Sequence, residues 1–185
     1  YQWQRELAWP TKVAMTLLMA AVTGLAAQVR YPLPNTPVPV TGQVFAVLLS
    51  GVLLGGRWGG LSQALYVGLG AAGLGWFAGG SGVIPLGPTW GYLLGFIPAA
   101  IFVGWTSDRF VWARRFVPQV GLMLIAVAII YAFGAAGVWF CTRVGWAQVT
   151  QWSVAPFIPY DVGKAILAAT LSTAILPKNT AAPLR

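Results

Sequence analysis

Histidine is absent from this chain, acidic residues number three and cysteine one. Those absences remove most of the vocabulary of catalysis. No His-assisted nucleophile and no zinc site can be assembled, and Glu6, Asp108 and Asp161 are a thin titratable inventory for an intramembrane enzyme. Cys141 has no partner for an intrachain disulfide; a lone thiol in an apolar run reads as a small core side chain, with a reactive thiol as the alternative. Charge is scarce too: 8% of residues are charged against 58% hydrophobic, at a mean hydropathy of +0.74. Such a chain cannot cover a soluble globule with polar surface, so it is expected to be an all-α integral membrane protein. Its 185 residues supply about six helices of about 20 apolar residues with their connections, which predicts one bundle and a single domain over residues 1–185.

The apolar runs place spans at about 12–28, 43–56, 61–75, 90–106, 117–140 and 159–176, the second unusually short. The opening YQWQRELAWP has no n-region, h-region or small-residue cleavage pattern, so the first span is expected to direct insertion itself. The missing initiator Met suggests a trimmed or processed start. Basic residues are retained on the cytoplasmic side during insertion. With both termini cytoplasmic, the inner segments hold Arg5, Lys12, Arg57, Arg109, Arg114, Arg115, Lys178 and Arg185, eight of the eleven basic residues. Arg30 and Arg143 remain outside, and Lys164 sits near the start of the sixth span. The formal charge of +8 follows from this bias, so it carries no nucleic-acid reading.

Two irregular segments then fall on the outer face. The first, RYPLPNTPVPVTGQ, carries Pro32, Pro34, Pro37 and Pro39, which fix their own φ and bias their predecessors to extended geometry. It reads as a stiff flap that loses little entropy on ordering over a ligand, or as a rigid connector that keeps unpaired backbone out of lipid. The second, between the third and fourth spans, contains Gly79, Gly80 and Gly82, then Pro85, Gly87 and Pro88, flanked by Trp76, Phe77 and Trp90. Turn formation and an interfacial aromatic belt account for most of these residues, yet two such segments on one face make a natural mouth for a small-molecule pocket.

The sixth span opens FIPYDVGKAIL. Pro159 suits a first helical turn and puts Tyr160, Asp161 and Lys164 in the outer part of a membrane helix. Asp161 and Lys164, spaced i and i+3, share a face. Ionisable groups within a span are costly and default to a functional reading, against which stands a local ion pair that neutralises both.

Taken together, the run from LPNTPVPVTGQ through LLGGRWGGLS to GPTWGYLLGF, followed far downstream by YDVGK, resembles the BioY family, the biotin-binding S components of energy-coupling-factor (ECF) vitamin transporters. The motifs stand in the family's order and spacing over almost the whole chain. Trp90 replaces a small residue of the usual GPTGGY, and GLGWFAGG replaces the more usual GLPVFAGG. The resemblance implies a six-helix protein of the prokaryotic cytoplasmic membrane that captures biotin from outside. It further implies inward release as the S component reorients against a transmembrane coupling protein, the T component, driven by two ABC ATPases. The chain has no GxxxxGK[ST] phosphate loop, since Gly163 and Lys164 are followed by Ala165, so ATP hydrolysis is expected from other chains. No cofactor or metal is implied; biotin is bound as the transported substrate. Rival readings are an S component for another vitamin, or a structural membrane protein without solute.

Family members dock the coupling protein through a stripe of small residues on the first helix, which here is similar to Thr16, Ala20 and Gly24; internal packing is the alternative reading. Gly51 and Gly55 repeat the spacing in the second span, where internal packing is favoured. Biotin presents a compact ureido head with two N–H donors and a carbonyl acceptor, and a flexible tail ending in a carboxylate. Asp161 and Lys164, as near neighbours, are expected to grip the head together, Asp161 accepting from N–H and Lys164 donating to the carbonyl oxygen. Lys164 on the tail carboxylate is the alternative. Thr36, Thr41 and Gln43 of the flap, with Phe77, Tyr92 and Tyr160, complete the expected biotin site.

Overall fold

The structure is a computed structural model that describes residues 7–82 and 87–176. Arg5, Glu6, Pro85, Lys178 and Arg185, all used in the sequence reading, lie outside the described residues. Helix α1 (Trp9–Gln28) starts with a proline in its first turn, where the missing N–H goes unmissed. Strands β1 (Arg30–Tyr31) and β2 (Val40–Thr41) pair antiparallel, Arg30 opposite Thr41. They are followed by α2 (Gln43–Ala71), α3 (Trp90–Arg109), a 3₁₀ turn (Val111–Arg114), α4 (Phe116–Thr142), α5 (Trp146–Ser153) and α6 (Ile158–Ile175).

The span α2 consists of two helical arms joined at a non-helical residue. At Gly55 the backbone takes φ 77° and ψ 172°, a region essentially restricted to glycine. Beyond it the chain folds back on itself. Gln43 Nε2 donates to the Tyr66 hydroxyl at 2.7 Å, although 23 residues of straight helix would separate them by about 35 Å. Gln63 Nε2 likewise donates to Ser50 Oγ at 3.0 Å, and a β-carbon on Gly59 would lie 2.8 Å from the Gly51 Cα. The two arms thus run antiparallel in backbone contact, which only glycine allows. They correspond to the expected second and third spans, with the reversal at Gly55 rather than over 57–60. The first arm is only about 18 Å long, well short of the ~30 Å hydrocarbon core. At the tip, Gly56 N–H donates to Asp108 Oδ2 at 3.4 Å, joining the hairpin to the end of α3.

Among the described residues, α1, α3 and α4 are each long and apolar enough to cross a membrane; the α2 hairpin is apolar throughout but folds back at Gly55, and α5 and α6, bent by 50° at their junction, form a broken span. The chain is a multi-pass membrane protein. Large apolar side chains such as Leu18, Leu25, Val117, Ile125 and Leu167 face outward, as a lipid-facing surface requires. The interior gathers Leu48, Tyr66, Phe96, Val103, Met123, Ile130 and Ala165 from α2, α3, α4 and α6. A second cluster joins Val38 of the β1–β2 connection to Val138, Val149 and Phe157. Arg114, buried to 1% exposure, donates through Nε to the Ser107 carbonyl at 2.8 Å, closing the α3–α4 corner.

One expectation needs correction, and one open alternative gains support. Cys141 is exposed rather than a core side chain. The stripe of Thr16, Ala20 and Gly24 faces the bundle: Thr16 is 1% and Ala20 0% exposed. A β-carbon on Gly24 would meet the Trp76 ring at 3.0 Å. On the same face Thr23 accepts from Gln63 Nε2 at 3.2 Å, cross-linking α1 to the α2 hairpin. Enclosed in this way, the three residues fit the internal-packing reading of the stripe. Ala20→Leu should therefore lower the melting temperature of purified protein, an overpacking cost of roughly 1–3 kcal/mol. Unchanged stability with coupled uptake lost would return Ala20 to the docking surface.

Candidate functional site

A cavity of about 240 Å³ opens between the flap and the helices, a little below the usual range of roughly 300–1,000 Å³ for small-molecule sites. Gln43 and Val44 of α2, Tyr92, Leu93 and Phe96 of α3, Ile130 and Tyr131 of α4, and Phe157, Asp161 and Lys164 around the start of α6 form its walls. Val38, Pro39, Val40 and Thr41 of the flap, Phe77, Ala78 and Ser81 of the α2–α3 loop, Thr89 and Arg30 complete it. The lining is largely apolar and aromatic with a few convergent polar groups, the usual make-up of a site that buries a small molecule and fixes its orientation.

The polar centre lies on α6. Lys164 Nζ and Asp161 Oδ1 are 2.7 Å apart, and the Tyr131 hydroxyl donates to Asp161 Oδ2 at 2.7 Å. Asp161 is 3% exposed, and a cation and a phenol both meet its carboxyl group in the interior. The cluster still has capacity. A carboxylate offers about four acceptor sites and an ammonium three donors. With one bond from Tyr131 and one from Lys164, Asp161 can accept more N–H groups, and Lys164 can donate elsewhere.

A second polar chain runs from the flap. Thr41 Oγ1 donates to Gln43 Oε1 at 2.8 Å, and Gln43 passes its own N–H to Tyr66. Tyr66 packs edge-on against Phe77, ring centroids 5.4 Å apart, and near Trp76 at 5.3 Å. The Tyr92 hydroxyl donates to the Ser153 carbonyl and so is occupied at its tip, while its ring faces the cavity.

Of the expected site residues, Asp161, Lys164, Thr41, Gln43, Phe77 and Tyr92 meet around this cavity. Thr36 and Tyr160 do not. Thr36 Oγ1 donates to the Trp152 carbonyl at 2.6 Å and accepts from Val38 N–H at 3.1 Å; it latches the flap to α5. Tyr160 is 44% exposed and points away, since adjacent helical residues do not share a face. Sequence reasoning missed Tyr131 and Arg30. A phenol within the apolar LIAVAIIYAF run needs a partner for its hydroxyl, and Arg30 was one of two basic residues assigned to the outer side; both were usable signals.

The flap is held at several points. Gly42 N–H bonds the Ala26 carbonyl at 3.1 Å and that of Val29 at 3.0 Å, and Thr36 adds the latch to α5; Gln28 Nε2 holds the neighbouring α2–α3 loop, donating to the Trp76 and Phe77 carbonyls at 3.1 Å each. Between Asn35, at φ 63°, and β2 the prolines limit what the free chain can explore. Replacing Pro37 and Pro39 together by glycine should weaken ligand binding by up to about tenfold, chiefly through faster release, because the flap then loses more entropy on ordering. An unchanged release rate in stopped-flow would make the segment an inert connector.

Comparison with known proteins gives a consistent result. The chain matches the BioY family over residues 4–180. It is 47% identical over 141 residues to a "Probable biotin transporter BioY" of Methanothermobacter thermautotrophicus, covering 71% of this chain and 89% of the relative. It is 33% identical over 181 residues to a "Biotin transporter BioY" of Rhizobium etli, covering 94% and 96%. Its fold is similar to a crystal structure of the S-component for biotin from an ECF-type ABC transporter, with a TM-score of 0.79 at 21% identity over 89% of this chain and 90% of that one.

Proposed function

The chain belongs to the BioY family, and from that membership we propose that it captures biotin in the cavity and carries it across the cytoplasmic membrane as the S component of an ECF transporter. The observation that carries this reading is the Asp161–Lys164–Tyr131 cluster in the wall of an otherwise apolar and aromatic cavity. A ureido head needs an acceptor for its N–H groups and a donor for its carbonyl at close quarters, and Asp161 and Lys164 supply both. The fused rings then lie against apolar and aromatic side chains such as Phe77, Tyr92 and Phe96, with Thr41 and Gln43 at the flap side.

Transport requires more than this chain. ATP hydrolysis would come from two partner ATPases, coupled through a transmembrane T component, and the lipid bilayer is the remaining partner. We place both termini on the cytoplasmic side. Arg57 at the hairpin tip and Arg109, Arg114 and Arg115 around the α3–α4 corner support that orientation. The test is mass spectrometry of small molecules released when the purified protein is denatured, followed by titration with biotin. Recovery of biotin is expected. Recovery of a different vitamin would keep the architecture and change the solute, and a protein that carries and binds nothing would favour the structural reading.

A further inference from the structure

We propose that Arg30 is the receptor for the ligand's carboxylate, a proposal that rests on the biotin reading above. The argument begins with charge. Three charged side chains line the cavity: Asp161, Lys164 and Arg30. Asp161 and Lys164 cancel one another at 2.7 Å. Among the described residues, Arg30 makes no ion pair, so the cavity carries one cation in excess, which fits a solute bearing one anionic group.

Position supports the assignment. Asp161 is buried, whereas Arg30 is exposed on β1 and lines the same cavity from its open side. A ligand whose neutral polar head reaches Asp161 and whose flexible tail ends in a carboxylate would bring that carboxylate toward the rim. The guanidinium is also seated. A β-carbon on Gly79 would lie 2.6 Å from Arg30 Nη1, and Gly79 has φ +85°, so this loop position is open to the guanidinium through lack of a side chain and in a conformation glycine adopts freely. Gln28 fixes the same loop by donating to the Trp76 and Phe77 carbonyls. The planar guanidinium fork matches a carboxylate bidentately. Because Arg30 stands on β1 and touches the α2–α3 loop, binding there would tie the flap to that loop over the ligand.

The experiment compares biotin with its primary carboxamide, which keeps head and tail but removes the charge, on purified wild type, Arg30→Gln and Arg30→Lys. Wild type is expected to prefer the acid by about ten- to a hundredfold. Arg30→Gln should erase that preference by weakening biotin alone, and Arg30→Lys, which keeps the charge and loses the fork, should fall between. The wild-type comparison stands even if a variant fails to fold: equal affinity for acid and amide overturns the proposal. So does an Arg30→Gln protein that loses both ligands equally or neither. Wild type that binds neither compound refutes the biotin reading itself, a distinct outcome that takes this proposal with it.

Discussion

Asp161→Asn and Lys164→Met are each expected to weaken biotin binding by about ten- to a hundredfold, as fits a charged hydrogen bond of roughly 1.5–3 kcal/mol. The carboxamide should suffer equally, because both residues are assigned to the ureido head. Affinity alone does not separate a ligand site from a local ion pair, since Lys164→Met also leaves the buried Asp161 without its cation. The reciprocal double variant, Asp161→Lys with Lys164→Asp, does. It preserves an i,i+3 pair and its attraction, so a plain salt bridge predicts that stability and binding both return. A gripping pair predicts recovery of stability at most. The acceptor would then stand away from the Tyr131 hydroxyl, which now holds Asp161 Oδ2 at 2.7 Å, and the ureido group would meet donor and acceptor in exchanged places. Rescue of biotin affinity by the exchange, measured by calorimetry, would sink the assignment. Tyr131→Phe is expected to fall between, loosening Asp161 without removing its charge.

Half of that centre is legible in the sequence. The spacing of Asp161 and Lys164 fixed their common face through helix geometry alone, and the cost of charge within a span marked them as functional. Tyr160 stands outside the cavity lining, as helix geometry allows one to foresee, because a residue beside Asp161 does not share its face. Thr36 could not be placed from sequence. Its partner, the Trp152 carbonyl, belongs to α5, and WAQVTQWS gives a short polar helix no apolar run to announce it. The small-residue stripe shows a further limit. Spacing by four says that Thr16, Ala20 and Gly24 lie on one face of α1; it does not say whether that face meets the bundle or a partner. The structure sets Trp76, an aromatic residue that an interfacial belt could equally have claimed, against that face.

Gly59→Leu should abolish the folded state, or leave protein that neither resists heating nor binds biotin. The reversal at Gly55 brings Gly59 so close to Gly51 that a β-carbon would sit 2.8 Å from its Cα and 2.9 Å from the Ser50 carbonyl. Backbone cannot yield as the end of a flexible side chain can, so the arms must part. Parting them breaks the Gln63–Ser50 and Gln43–Tyr66 bonds. Gln43 lines the cavity and Tyr66 braces Phe77, so a change far from the ligand reaches the site through the hairpin. Gly55→Ala is expected to be milder, costing roughly 1–3 kcal/mol for a backbone region that only glycine enters freely. Gly68→Ala supplies the opposite sign within the same helix. Nothing lies within 4 Å of a β-carbon there, so reduced chain entropy and better helix propensity should stabilise by up to about 1 kcal/mol. Thermal unfolding of the three purified variants, with and without biotin, reads out the series. Wild-type melting of Gly59→Leu would refute the backbone contact between the arms, and with it the path by which the hairpin shapes the cavity.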